Sequence, residues 1–273
     1  MTSSWTQIGS DLDARDLPDS LSENDISFSG DGSLLVIGDS SENKGIIRTY
    51  ENIDGEFIQF GSDIENPNPN AIVRDRVLFK DHPTLDTVVV PNILFDSVSG
   101  LEIPRTFGSL LTLSRDGSTL ASRNQRYVEV PGNDDYYMGG IQIYKNVGDK
   151  WIESSLINEE GNIRDLKLSE NGSTIVYSTT FKGGIVKILK NVNNNWIQVG
   201  SDINIDTSIY SLDISDNGKV VAIGQDGNSN AHRSGSVKVY ENINGEFIQV
   251  GSDIEGTFRG DKNVNEWDKE FGL

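Results

Sequence analysis

The side chains most often used in catalysis are scarce in this sequence. It has no cysteine, which excludes disulfides, thiol nucleophiles, zinc-thiolate sites and iron–sulfur clusters. Its two histidines, His82 and His232, lie far apart, one in a Pro-containing turn and the other in a loop rich in Gly and Asn. A Ser-His-Asp triad or a histidine metal site needs a well-supported imidazole. We therefore expect no catalytic residue, no metal and no cofactor.

Carboxylates are abundant, with 42 acidic against 23 basic residues and a formal net charge of -19. Glycoside hydrolases need neither histidine nor cysteine, because two carboxylates perform the reaction. Here only Asp213 occupies the strand position that would carry such an acid, and one carboxylate cannot be both acid and nucleophile. We therefore predict a protein that is not an enzyme, with a glycoside hydrolase as the second alternative. The negative charge also argues against nucleic acid as a partner.

Membrane insertion is not expected from the chain as given. It contains no run of about 18 apolar residues, the length that a spanning helix needs. The first residues, Met1 to Asp13, lack the basic and apolar regions of a secretion signal. The cellular compartment stays open.

Self-similarity is the main signal for the fold. Glu51 to Glu65 returns almost letter for letter as Glu241 to Glu255, and shorter copies begin at Trp5 and Trp196. A second element, Ser-x-Asp/Asn-Gly between alternating apolar residues, is typical of a hairpin whose glycine adopts positive φ. Its glycines are Gly32, Gly117, Gly172 and Gly218.

These elements repeat in the order strand A, turn, strand B, loop, strand C, short turn, strand D. A unit of four antiparallel strands with a period of about 40 to 50 residues is typical of a propeller blade. Strand B of the last unit, Val220 to Gly224, is apolar on both faces, as a blade between two neighbours requires. The recurring aromatic residue of strand D, such as Trp151 and Trp196, is expected to pack between blades.

We therefore predict an all-β fold, a β-propeller of about five four-stranded blades whose second blade is degenerate. The whole chain, residues 1–273, is predicted to be one domain. Its parts are a closing strand at 1–13, blades at 22–66, 71–106, 107–157, 158–205 and 206–257, and a C-terminal tail at 258–273.

The second unit is inferred from the gap between Gly32 and Gly117, which is nearly twice the gap between Gly172 and Gly218. Its Pro91 and Pro104 are expected at strand edges, where a missing N–H is tolerated. The predicted strands A to D are Arg76–Lys80, Thr87–Pro91, Asn92–Ser97 and Leu101–Thr106.

The repeated pattern resembles the FG-GAP-like repeats of integrin α-type propellers over nearly the whole chain except the second unit. This resemblance implies a propeller that serves in binding or as a scaffold. The residues that carry it are Phe107-Gly108, Ser215 to Gly218, Val221 to Gly224, Gly235 to Tyr240 and Phe271-Gly272. Some FG-GAP propellers hold calcium in an Asp-rich loop through six to eight oxygen ligands. The turns here, such as Asp31-Gly32, offer too few oxygens for that site.

Binding is predicted in the loops between strands B and C, where the sequence departs from the repeat. Tyr gives a large contact area at low entropic cost and is therefore favoured in recognition loops. We predict a protein partner or a larger assembly, such as a virion or a cell surface, with glycan binding by a lectin as the first alternative. The candidate binding residues are Asp134, Asp135, Tyr136, Tyr137, Asp226, Asn228, His232 and Arg233.

The first strand has no strands A to C before it. We expect Trp5 to Leu12 to add to the fifth blade and close a monomeric ring, because an open sheet edge invites aggregation. The alternative is a stunted sixth unit that a partner completes.

Overall fold

A computed structural model shows the predicted all-β architecture. Every regular element in the part of the chain that it describes is a β-strand. The four-stranded antiparallel sheets repeat along the chain as the blades of a β-propeller, which confirms the predicted fold class. The residues described are 6–12, 25–39, 45–66, 71–78, 88–96, 107–128, 136–148, 150–159, 161–180, 184–226 and 235–256.

Each blade keeps here the number of its sequence unit. Blade 1 contains β1 (Ile26–Phe28), β2 (Leu34–Asp39), β3 (Ile46–Ile53), β4 (Glu56–Gln59) and β5 (Ile64–Glu65). The second unit contributes a hairpin of β6 (Ala71–Leu78) and β7 (Val88–Asp96). Blade 3 contains β8 (Leu111–Leu113), β9 (Thr119–Val128), β10 (Tyr136–Asn146) and β11 (Trp151–Asn158).

Blades 4 and 5 repeat the pattern of blade 1. Blade 4 contains β12 (Ile163–Leu168), β13 (Thr174–Thr179), β14 (Gly184–Val192), β15 (Asn195–Gln198) and β16 (Ile203–Ile205). Blade 5 contains β17 (Ile209–Ile214), β18 (Val220–Gln225), β19 (Ser236–Ile243), β20 (Glu246–Gln249) and β21 (Ile254–Glu255).

The turn between strands A and B explains the repeated Ser-x-Asp/Asn-Gly motif. In blade 1 the Ser29 hydroxyl donates to Asp31 Oδ1 at 2.7 Å, and the backbone N–H of Ser33 donates to the same oxygen at 2.9 Å. The N–H of Leu34 donates back to Ser29 Oγ at 2.9 Å. Gly32 has φ +72°, which an L side chain rarely adopts. The same contacts recur in the other blades, so the motif specifies a turn.

Strand D is split into two short strands in blades 1, 4 and 5. A hydrogen bond within the Gln-x-Gly-Ser-Asp motif stabilises the turn between the two parts. In blade 4 the Gln198 side-chain amide donates to Asp202 Oδ1 at 2.8 Å, across Gly200 at φ +71°. Blade 3 lacks this motif and has one residue fewer here: Ile157, which pairs with strand C, lies six residues after Trp151, whereas its equivalent Ile203 lies seven residues after Trp196. Its β11 is therefore one continuous strand, with a bulge in the pairing at Ile143 and Tyr144.

The A–B turns form one hydrogen-bonded row. The N–H of Gly30 donates to the carbonyl of Arg115 at 2.6 Å, and the N–H of Asp116 donates to the carbonyl of Glu170 at 3.0 Å. The N–H of Glu170 in turn donates to the carbonyl of Asp216 at 3.1 Å. These bonds link blades 1, 3, 4 and 5 in that order, and so place the turns side by side at one end of the stack.

Three apolar clusters hold neighbouring blades together. In each cluster, strands B and C of one blade pack against the next blade. The next blade contributes its strands A and B and the aromatic residue of its strand D. Trp151 packs in the cluster between blades 1 and 3 and Trp196 in that between blades 3 and 4, which confirms the predicted role of these aromatic residues. Phe247 takes the same place between blades 4 and 5.

The second unit does not separate blades 1 and 3. Val36 and Ile47 of blade 1 share a buried cluster with Phe107 and Leu111 of blade 3. The predicted strands B and C of the second unit form one strand, β7, so that prediction was wrong. Pro91 lies within β7 opposite a bulge between Arg74 and Arg76, where no ladder hydrogen bond is needed from it. The predicted strand D and Pro104 lie outside the described residues.

The N-terminal segment was expected on the fifth blade, and its described part, residues 6–12, lies instead against blade 1. The N–H and hydroxyl of Ser10 both donate to Glu56 Oε2 at 3.0 Å. The same contact joins blades 4 and 5, where the N–H of Ser201 donates to Glu246 Oε2 at 2.9 Å. The segment therefore occupies the place that the end of a preceding blade would take.

Candidate functional site

The predicted binding residues fall largely outside the described part of the chain. Asp134, Asp135, Asn228, His232 and Arg233 belong to that group. Tyr136 and Tyr137 were expected in a loop, but they begin β10 and pair with Val128 and Tyr127 of β9. Asp226 directly follows strand B of blade 5, and its N–H donates to the carbonyl of Ser208 at 3.0 Å. The role of these residues in binding stays a prediction.

Blade 1 carries an apolar surface that no neighbouring blade covers within the described part of the chain. We call it the front face of blade 1, formed by Ile26, Phe28 and Phe57. Ile26 and Phe28 are 58% and 50% exposed, whereas Leu111 and Leu113, the residues at these positions in blade 3, are 2% and 4% exposed. The rings of Phe28 and Phe57 contact each other edge to face, with centroids 6.0 Å apart. This surface is the one that every later blade buries.

Blade 5 carries the complementary surface at the other end of the stack. We call it the back face of blade 5, formed by Val237, Val239 and Ile254. Ile254 is 53% exposed, whereas Ile203, its equivalent in blade 4, is 7% exposed. Val237 and Val239 are half-buried, although the corresponding residues of blade 4 are fully buried. At every internal junction a back face of this kind packs against a front face.

A cavity of about 680 Å³ lies where blades 4 and 5 meet, between the end of strand B of blade 4 and the start of strand A of blade 5. Most of the residues that line it have polar side chains, with hydroxyl groups from both blades. The residues that line it are Arg164, Ser178, Thr179, Thr180, Gly184, Asp206, Thr207, Ser208, Ile209 and Tyr210. Sequence reasoning missed this cavity, although unit-by-unit alignment carries a signal for it: Ser208 stands where blade 3 has Phe107.

Two buried carboxylates of blade 4 serve the structure. Glu159 accepts hydrogen bonds from the Tyr177 hydroxyl at 3.0 Å and from Lys187 Nζ at 2.9 Å. Burial raises the pKa of Tyr177, and the charge of Glu159 adds to the effect. Asp165 accepts from the N–H of Leu212 in blade 5 at 2.6 Å, and burial raises the pKa of Asp165, against the effect of Lys167. Glu159 therefore connects two strands of blade 4, and Asp165 connects blade 4 to blade 5.

Asp213 is exposed on β17 and accepts a hydrogen bond from the N–H of Ile214 at 2.9 Å. Among the described residues, no group of three or more His, Cys, Asp or Glu is placed to hold a metal ion. The same part of the chain contains no helix long and apolar enough to cross a membrane.

The chain matches no protein-family model, and no curated protein matches it. Among solved structures it is similar to TolB from Acinetobacter baumannii, with 9% identity, a TM-score of 0.41, and coverage of 82% of this chain and 42% of TolB. It is also similar to the β-propeller domain of the Trilobed protease from Pyrococcus furiosus, described as having an open velcro topology. That match has 12% identity, a TM-score of 0.43, and coverage of 83% of this chain and 56% of the other.

The chain thus spans less than half the length of the TolB chain. The class of the protein rests on its own blades: repeated four-stranded antiparallel sheets, joined front face to back face. It is a β-propeller protein.

Proposed function

We propose that this protein is a non-catalytic β-propeller scaffold that binds a protein partner, or takes its place in a larger assembly, through its two end faces. The observation that supports this function is the exposure of the front face of blade 1 and the back face of blade 5. Contiguous apolar surface of this kind marks interaction sites in soluble proteins. Since both faces have the pattern of an internal blade junction, the partner surface that fits them is apolar and β-structured.

The free energy gained by burying the side chains of these faces is large enough for specific binding. Full burial of an exposed Ile or Phe side chain contributes about 1.5–3 kcal/mol. Ile26 and Phe28 lie two residues apart in β1 and therefore on the same side of the strand. An acidic residue at both positions should weaken partner binding by at least about tenfold, since 1.4 kcal/mol corresponds to a factor of ten.

The test compares three variants of the tagged full chain. One carries Ile26→Asp with Phe28→Asp, one carries Ile254→Asp, and the control carries Ile58→Asp. Ile58 is 51% exposed on β4 of blade 1 and belongs to neither face, so it matches Ile26 in type and exposure. Proteins captured from the native source are identified and purified, and the affinity of each is then measured for every variant. Sedimentation of the isolated chain measures self-association.

The proposal expects one purified protein, or a second copy of this chain, to bind the wild type and the Ile58→Asp control equally. Binding should fall at least about tenfold for a face variant that circular dichroism shows to be folded. Equal binding by all variants would place the contact elsewhere. A variant with Tyr136→Ala and Tyr137→Ala tests the alternative position near the B–C loop of blade 3. A chain that binds no protein and stays monomeric contradicts the scaffold function.

A further inference from the structure

The cavity between blades 4 and 5 lies where the junction between blades 1 and 3 contains a large side chain. Between blades 1 and 3 the corresponding space contains Phe107, which is fully buried. A Cβ on Gly45 would overlap the carbonyl oxygen of Phe107, so that junction is closely filled. Blade 5 has Ser208 at the position of Phe107. Its shorter side chain contributes to an open volume of about 680 Å³, within the range of about 300–1,000 Å³ typical of ligand sites.

Two matching β-bulges frame this cavity. The pairing of β12 with β13 shifts between Ile163 and Asp165, which leaves Arg164 as the extra residue. The pairing of β17 with β18 shifts in the same way around Tyr210. Bulges redirect a side chain and are enriched beside functional sites. The bulged residue of each blade thus lines the same cavity, Arg164 from one side and Tyr210 from the other.

The walls contain hydroxyl groups that have no protein partner. Ser178 is 1% exposed, and its Oγ has no hydrogen-bond partner in the structure. Thr207 Oγ1 is buried in the same way. Buried polar atoms are nearly always hydrogen-bonded, because an unsatisfied one costs about 1–3 kcal/mol. Blades 1 and 5 have glycines at the position of Ser178, Gly38 and Gly224, so the repeat does not require this hydroxyl.

We propose that this cavity binds a short saccharide, a site separate from the end faces that bind the partner. A hydroxyl both donates and accepts hydrogen bonds, as Ser178 and Thr207 do, so sugar hydroxyls are their natural complement. Arg164 supplies donors and the Asp206 carboxylate supplies acceptors, which orient a polyol without selecting for net charge. Tyr210 is 40% exposed and offers an aromatic surface to the apolar face of a sugar ring.

The test measures binding of D-glucose, D-galactose, D-mannose, N-acetylglucosamine, lactose and maltose to the full chain by saturation-transfer NMR and calorimetry. Two variants address the cavity. Ser208→Phe introduces the side chain that fills the blade 1–3 junction, and Ser178→Ala removes the buried hydroxyl with little change in side-chain volume. Ser252→Phe is the matched control, because Ser252 is exposed in the bend of blade 5, away from the cavity.

We expect saturable binding of at least one of these sugars to the wild type and to Ser252→Phe. Ser208→Phe should abolish it, and Ser178→Ala should weaken it at least fivefold. Protein capture through the end faces should be unchanged by Ser208→Phe, so the two proposals fail independently. The saccharide site is refuted if none of the sugars binds, if binding survives Ser208→Phe in a folded protein, or if acetate or phosphate binds there in their place.

Discussion

The indole N–H of Trp151 donates a hydrogen bond to the Thr49 hydroxyl at 3.3 Å, although 102 residues separate them. Trp151 begins strand D of blade 3, and Thr49 lies in strand C of blade 1. The contact crosses the junction between these blades, although the whole second unit lies between them in the sequence. Trp196 also donates across its junction, to the hydroxyl of Ser155 in strand D of blade 3, at 3.0 Å. Blade 1 therefore meets blade 3 as an ordinary neighbour.

This hydrogen bond should contribute measurably to stability. Trp151→Phe keeps an aromatic ring, as Phe247 does in blade 5, and removes only the indole N–H and part of the ring. We expect Trp151→Phe to lower the free energy of unfolding by about 1 kcal/mol. Thr49→Val should cost more, because it also removes the hydrogen bond that the Thr49 hydroxyl donates to the carbonyl of Phe60 at 2.6 Å. In a double-mutant cycle measured by urea denaturation, the two losses should add only in part, because both variants remove the bond between Trp151 and Thr49. Full additivity would contradict a stabilising bond between these two side chains.

Gly38 should be the more sensitive of two glycines in blade 1. An alanine Cβ at Gly38 would overlap the carbonyl oxygen of Gly108 in blade 3, so the two backbones would have to separate. We expect Gly38→Ala to cost about 3 kcal/mol. The control is Gly32→Ala, where the Cβ would meet open space and the cost is about 1–2 kcal/mol from the positive φ. Thermal unfolding ranks the two, and equal losses would contradict the close approach of blades 1 and 3.

Asp31 should make the stability depend on pH. Hydrogen bonds from the Ser29 hydroxyl and then from Ser33 lower the pKa of Asp31 from 3.8 to about 2. The folded state thus binds this proton more weakly than the unfolded state. The stabilisation is complete above pH 3.8 and is lost as the pH falls through about 2.

The variant Asp31→Asn tests this directly. Asn171 accepts the same backbone hydrogen bond in blade 4, at 3.0 Å, so an amide fits the turn. The wild type should have the higher urea midpoint at pH 5, and the difference should vanish near pH 2. A difference in urea midpoint that does not change with pH would show that the ionisation of Asp31 does not cause it.

The N-terminal segment should contribute modestly to stability. Its hydrogen bonds from Ser10 to Glu56 are exposed, so we expect Glu56→Ala to cost about 0.5–1.5 kcal/mol. Deletion of residues 1–13 should cost at least as much, and Glu56→Ala should have little further effect in the shortened chain. Glu246→Ala provides the comparison at the junction of blades 4 and 5. If the two effects of Glu56→Ala are equal in the full and shortened chains, the segment does not dock through this residue.

The sequence predicts the blades well because their signals are local. The hairpin turns at Gly32, Gly117, Gly172 and Gly218 were each found from a few neighbouring residues, and all four have positive φ. The second unit was harder to predict, since it lacks these turns and its strands differ from the repeat. The direct packing of Val36 against blade 3 depends on contacts distant in sequence, which no local pattern contains.

The candidate sites were less predictable than the fold. Ile26 and Phe28 have the same apolar pattern as the buried Leu111 and Leu113, so their exposure follows only from the arrangement of the blades. The cavity lies where blade 5 has the small Ser208 and blade 3 has Phe107, beside the bulge at Arg164. Such a difference between two units is visible once the units are aligned in register, and the structure supplies that register.

Hydrogen exchange measured by mass spectrometry on the complex with the purified partner tests the central claim most directly. The scaffold proposal predicts that the partner slows exchange of backbone amides in β1, in β19 and β21, or in both groups. Exchange in β15 and β20, whose residues contribute to neither end face, should stay unchanged. Protection confined to β15 and β20, with β1, β19 and β21 exchanging as in the free protein, would contradict binding through the end faces.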